Sequence, residues 1–355
     1  MKKTFFSVFS VFALTPVMLF SMIFPISLLS FSMVNSNSTK GMLVVKPVQD
    51  TNHFTALPSD GSYPVGEYID TKEIPASSHL TEIPNIGYTM DMLPDGAKKI
   101  LPQDLSQNGN MLINGTSYSV DTEKAVSAFA PSHPETAGPL VLVVHTHATE
   151  SFLTENNTFK IETNDSAEIY YDTKAETRST DCSQNVVHLG EIFCNVLSEH
   201  NIEAVHCREL HDYPDYNKSY SNSYKSVKEY LAKYPSIKYV IDLHRDSIIR
   251  ENGDKVKPIC NIDGKEVAQI MAVIGSASKH PEWRTNLAFA LKYKSACDSA
   301  YPGFTRPVYL RTPSFNQELS PGMLILEVGS CGNSLKEAEY AAEYAAKVFA
   351  KTIMQ

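Results

Sequence analysis

Three largely apolar stretches in this chain each run into ionisable side chains. Residues 140–144 have no polar alternation and lead to His145, Thr146, His147 and Glu150. Residues 237–243 lead to His244, Arg245 and Asp246, and residues 323–326 lead to Glu327. Runs of this kind predict strands buried on both faces, as in a parallel sheet covered by helices. Between them the period changes. Val186, Leu189, Ile192, Phe193, Val196 and Leu197 recur at helical spacing behind Asn185, a good N-cap. A second helix is predicted over about 221–233, stopped by Tyr234-Pro235, and a further strand over 266–274. A helix over 286–301 ends at Pro302-Gly303, and the capping box Ser334-Leu335-Lys336-Glu337 opens an alanine-rich helix to about Ile353. Strands alternating with helices predict an α/β domain, a mostly parallel sheet flanked by helices.

The amino-terminal third reads differently. Residues 4–34 carry no charge and exceed the ~20 residues that a spanning helix needs, so 1–34 is read as a cytoplasmic stub and transmembrane anchor. Lys2 and Lys3 on the short flank place the amino terminus inside and everything after residue 34 outside the cytoplasm. Residues 35–110 are read as an extracytoplasmic linker and lead-in, with Ser, Thr, Asn, Pro and Asp punctuation and no sustained period over their first fifty or so positions. The domain is placed at 111–355. Within it, residues 111–118 predict a strand meeting an Asn-Gly hairpin turn, and the polar stretch 151–184 a functional loop over a pocket.

The formal charge of −9 argues against a nucleic-acid partner, and no basic run adds a second, electrostatic membrane contact. The six cysteines, at 182, 194, 207, 260, 297 and 331, lack C-x-x-C spacing; Cys194, inside the amphipathic pattern, is read as a packed thiol.

Parallel strands in one sheet put their carboxyl ends on a common rim, where open α/β sheets bind ligands. His147 with Glu150, His244, and Glu327 therefore meet from three strand ends. Two imidazoles and a carboxylate suit zinc and leave its fourth position open, as catalysis requires. Glu327 is then the general base that later donates the proton to the leaving nitrogen. His145 is either a supporting or substrate group or the ligand in place of His147. Two alternatives stand beside this zinc amide hydrolase. One is a zinc carboxypeptidase, with Arg178, Arg245, Arg306 or Arg311 to hold a terminal carboxylate; the other is a non-catalytic binding or scaffold module, which the resemblance described below would make wall-binding.

The strings VVHTHATESF, TRSTDCSQNVVHLG, YVIDLHRDS, SFNQELSPG and LILEVGSCGNS resemble the stage II sporulation protein P family over roughly residues 110–355. More distantly they resemble the zinc N-acetylmuramoyl-L-alanine amidases of the amidase-3 type. That resemblance implies zinc bound by His147, Glu150 and His244, and catalysis by Glu327, with Gly329 and Asn333 completing its motif. Arg245, Asp246, Asn185, Asn333 and His145 are expected around the site as supporting or substrate groups. Amidase-3 enzymes take their glutamate ligand at the start of the first helix, where this chain has Ser183-Gln184-Asn185; Glu150 takes that role from another place. The resemblance also implies cleavage of the muramoyl-L-alanine amide in peptidoglycan, with endopeptidase action on stem peptides. It further implies work beside stage II sporulation proteins D and M at the engulfing septal membrane of a sporulating cell.

Overall fold

The computed structural model describes residues 88–354 apart from 135 and 163–165, so the apolar segment 4–34 and most of the linker lie outside the described residues. Among the described residues no helix is long and apolar enough to cross a membrane. In chain order the elements are β1 (Lys98–Gln103), β2 (Leu112–Asn114), α1 (Thr122–Ala128), β3 (Val141–Val144), β4 (Thr158–Glu162), β5 (Ala167–Tyr171), α2 (Val186–Glu199), β6 (Ala204–His206) and α3 (Ser219–Lys233). There follow β7 (Tyr239–Asp246), β8 (Lys255–Ile262), β9 (Lys265–Ala268), β10 (Ile270–Gly275), α4 (Trp283–Ala300), β11 (Val308–Arg311), β12 (Met323–Ser330) and α5 (Leu335–Met354).

Seven strands form the main sheet in the order β2-β11-β10-β12-β7-β3-β6, and every pairing in it is parallel except β10 with β12. The apolar runs fold this way because both faces are covered. In β3, Val141 and Val143 join Phe193 and Phe349 on the α2 and α5 side, while Leu142 and Val144 join Val227 of α3 and Val240. A strand buried on two faces needs no polar alternation. Asn185 caps α2 as predicted, its side-chain oxygen accepting from the Val187 amide at 2.9 Å.

Three expectations fail. Asn114-Gly115 makes no hairpin. β2 lies parallel to β11 at the sheet edge, and Asn114 Oδ1 accepts from the Thr116 amide (3.0 Å) while its Nδ2 donates to Tyr118 O (2.7 Å). That turn redirects the chain toward α1 instead of reversing it.

The predicted strand 266–274 is two strands in two sheets, parted at Gln269. There the buried Gln269 side chain accepts from the Leu105 amide (2.7 Å) and donates to Asp104 and Gly303 O.

The stretch 151–184 is no simple loop. It contains the antiparallel pair β4 and β5, part of a second, five-stranded sheet in the order β4-β5-β1-β8-β9. β1 of that sheet comes from the segment read as lead-in. All six cysteines are free, and Cys194 packs against the main core.

Candidate active site

β7 lies between β3 and β12, with Val144 opposite Asp242 and Glu327 opposite His244. Beyond Val144 the chain turns through residues 145–149, and two buried aspartates hold that turn. Asp242 accepts from the Thr146 amide (2.7 Å) and hydroxyl (2.6 Å). Asp212 accepts from the Thr149 amide (3.1 Å) and hydroxyl (2.6 Å), and from Arg178 (2.6 Å). The turn thereby delivers His147 and Glu150 beside β7.

The four ionisable groups converge from three directions. The His147 and His244 rings stand edge to face, their centroids 5.3 Å apart. His244 Nδ1 lies 3.4 Å from Glu150 Oε2, and its Nε2 lies 2.9 Å from Asp242 Oδ1, close enough for an ion pair though off the line of a hydrogen bond. Glu150 Oε2 also accepts from the Arg245 amide at 3.0 Å, while its Oε1 is 3.8 Å from Arg178. All four side chains are buried.

Burial and charge set their protonation. Burial pushes His147 down to about 3, so its imidazole is neutral. Burial disfavours charge on His244 too, but the Asp242 and Glu150 carboxylates outweigh it and raise its pKa well above the usual value. Glu150 is likewise buried, yet His244 and the Arg245 charge hold it below the usual carboxylate range. Glu327 goes the other way. Burial and the charge of Asp246 lift it to about 8.

These residues fit a zinc ion by the chemistry of their donors. His147 Nδ1 and Glu327 Oε2 are buried without a hydrogen-bond partner. Zinc takes neutral imidazole and carboxylate ligands; His147 is already neutral, His244 gives up a proton as metal binds, and a carboxylate beside the other ring nitrogen of His244 is the usual way such a ligand is oriented.

The remaining predicted residues serve as follows. His145 is directed away from the group, because β3 ends at Val144 and does not carry 145 and 147 on one face. Its Nδ1 meets Leu243 O (2.9 Å) and its Nε2 meets His206 Nε2 (2.8 Å), so neither nitrogen is open to a metal. Asn185 is a helix cap, its Nδ2 donating to Ser179 O (2.9 Å). Arg245 ties down the chain that enters the site, donating to Ser151 O (2.8 Å) and Thr177 O (2.5 Å). Asp246 pairs with Arg306 at 2.8 Å. Asn333 accepts from the Ser330 amide (2.8 Å) and donates to Glu337 (2.9 Å), fixing the exit of β12. Gly329, at φ +65, is needed beside it, since a Cβ there would come within 2.8 Å of Asn333 Oδ1.

Sequence reasoning missed four neighbours: Asp242, Asp212, Tyr216 and Tyr220. Asp242 did leave a signal, a lone charge inside an apolar strand two positions before His244. Tyr216 left none. Its ring stacks on His147 at 4.7 Å with an interplanar angle of 10°, and the Arg178 guanidinium lies 4.6 Å from the Tyr216 ring centre.

Fold and site together define an α/β protein with a buried histidine and carboxylate cluster on the strand-end rim of its parallel strands. The chain belongs to the stage II sporulation protein P (SpoIIP) family, whose sequence description matches residues 97–350. It is 31% identical over 223 residues to the stage II sporulation protein P of Bacillus subtilis (strain 168), covering 60% of this chain and 50% of that one. The chain thus spans about half the length of the curated relative it matches. Similar solved structures include the N-acetylmuramoyl-L-alanine amidase from Clostridium difficile 630, at 11% identity and a TM-score of 0.35 over 61% of this chain and 96% of that one. Another is the amidase AmiC2 of Nostoc punctiforme, at 11% identity and a TM-score of 0.34 over 62% and 97%.

Proposed function

We propose that the chain is a zinc-dependent peptidoglycan hydrolase of sporulation that cleaves the amide between muramic acid and L-alanine. The observation that carries this reading is Glu327, a buried carboxyl with raised proton affinity and one unpartnered oxygen, set across from His244 in a neutral-His147, Glu150 and His244 group. His147, Glu150 and His244 would hold the zinc, which would supply Lewis acidity toward the scissile carbonyl and a water. The rest falls to the chain's own groups. Glu327 accepts the proton of the attacking water and returns it to the leaving nitrogen, a double task that suits a carboxyl whose pKa lies near neutrality. Asp242 and Arg245 keep His244 and Glu150 in place.

The site sits behind the amino-terminal apolar anchor, on the extracytoplasmic face of the engulfing membrane, where it works alongside stage II sporulation proteins D and M. Two of the four arginines considered for a carboxypeptidase are withdrawn from that role, which leaves Arg178, 3.8 Å from Glu150, and Arg311. Arg245 is buried on backbone carbonyls and Arg306 is buried on Asp246, so neither is free for a terminal carboxylate. The test is digestion of purified cell wall by the full-length chain. Release of peptides that begin with L-alanine supports the proposal; release of single carboxy-terminal residues assigns the carboxypeptidase instead.

A further inference from the structure

A second cluster of metal-binding side chains lies on the other side of the 145–150 turn. Cys207, Glu209 and His211 follow β6, and one donor atom from each falls within 4.8 Å of the others. Cys207 is wholly buried, its Sγ 4.0 Å from His211 Nε2, and Glu209 Oε2 stands 3.5 Å from the same nitrogen. Ser226 Oγ, on α3, is 2.9 Å from both His211 Nε2 and Glu209 Oε2. Ligand atoms about 2.0–2.3 Å from a tetrahedral zinc stand roughly 3.3–3.8 Å apart, so these separations need little adjustment to close on an ion. Just past β6 the backbone turns tightly, the His211 N–H donating to Glu209 O at 3.1 Å, and this brings the Glu209 and His211 side chains together.

The ring of His211 supplies an independent pointer. Its Nδ1 is 2.8 Å from His145 O, a carbonyl that can only accept. Nδ1 therefore carries a proton, leaving Nε2 turned toward Ser226 and Glu209; burial opposes charge on the ring, but Cys207 and Glu209 outweigh it and raise its pKa to about 10, so a metal displaces the Nε2 proton as it binds. A carbonyl on Nδ1 is how metal-bound histidines are held from behind. A cavity of about 270 Å³, lined by Glu209, His211, Asn222 and Ser226 among others, gives an ion and its water a way in.

We propose that Cys207, Glu209 and His211 form a second zinc site, separate from the group at His147, Glu150 and His244, with Ser226 Oγ or a water completing it. Its work is structural. The neighbouring Asp212 accepts from Thr149 and Arg178, and His211 itself holds the His145 carbonyl, so an ion here fixes the strap beneath the turn that carries His147 and Glu150.

The test loads the reduced full-length chain with cobalt(II) alone and reads the near-ultraviolet thiolate-to-cobalt absorption, followed by displacement with zinc. The band is expected in wild type and in His244→Ala, and absent from Cys207→Ser. Glu209 is half exposed, so Glu209→Gln disturbs the fold little and is expected to weaken zinc displacement on the order of 10–100-fold. No band in wild type, an undiminished band in Cys207→Ser, or unchanged affinity in Glu209→Gln overturns the proposal. Because His244→Ala keeps the band, loss of the active-site metal and loss of this one are told apart.

Discussion

Glu327 on β12 lies directly opposite His244 on β7, and the carboxyl so placed is buried with one oxygen unpartnered. Such a group costs stability, of order 1–3 kcal/mol for an unsatisfied buried polar atom. Nothing in the packing requires it, since Met271, its neighbour on the other side in β10, is apolar. A costly polar group at a strand-end rim is what a reacting carboxyl looks like.

Asp242 is the residue on which the site's geometry turns. It accepts from Thr146 through both its oxygens and stands 2.9 Å from His244 Nε2. Asp242→Asn is expected to weaken zinc binding at the active-site group on the order of 10–100-fold, as loss of a supporting carboxylate does. Zinc titration against a chelator, in the Cys207→Ser background so that one site is counted, measures it.

The α2 and α5 helices are joined by His188, whose Nε2 is 2.8 Å from Glu339 and whose Nδ1 is 3.8 Å from Glu191. Hydrogen bonds to Glu191 and Glu339 raise its pKa from 6.5 to about 9. A histidine with a raised folded-state pKa gives stability that is fully present below its unfolded value of about 6.5 and fades as pH rises through about 9. Urea unfolding of wild type is therefore expected to show a loss of stability between these limits that His188→Gln lacks. Parallel curves for the two proteins remove His188 from the balance.

Gly190 in α2 leaves room for the paired His145 and His206 rings. A Cβ there would lie 2.6 Å from His145 Nε2 and closer still to His206. Gly190→Ala should therefore destabilise the chain by about 1–3 kcal/mol despite alanine's better helix propensity, because two buried rings have nowhere to go. Thermal unfolding decides it, and a gain in stability would show that the rings can shift.

Much of this arrangement was legible in the sequence, and the rest was hidden for physical reasons. The runs before His145, His244 and Glu327 announce two-sided burial directly, so the main sheet and the meeting of three strand ends follow from periodicity. The five-stranded sheet does not announce itself. β4 and β5 are short, mix charge with aromatic residues, and join the sheet only through the pairing of β5 with β1, more than fifty residues away. The break at Gln269 is hard to read from pattern, because Val267-Ala268 and Ile270-Met271 flank it with buried apolar residues and tertiary hydrogen bonds to Asp104, Leu105 and Gly303 separate the two strands. His145 illustrates a third limit. Alternation puts it with His147 only if the strand continues, and the turn pinned by Asp242 and Asp212 ends the strand at Val144.

The most direct measurement is turnover of purified peptidoglycan by the full-length chain, wild type beside Glu327→Gln, with active-site zinc quantified in the same samples. We expect the variant to keep its metal and to lose turnover by on the order of 10²–10⁴-fold, the usual contribution of a positioned general base. Turnover that survives the substitution unchanged, with zinc in place, would contradict the role assigned to Glu327 and with it the proposed hydrolytic mechanism.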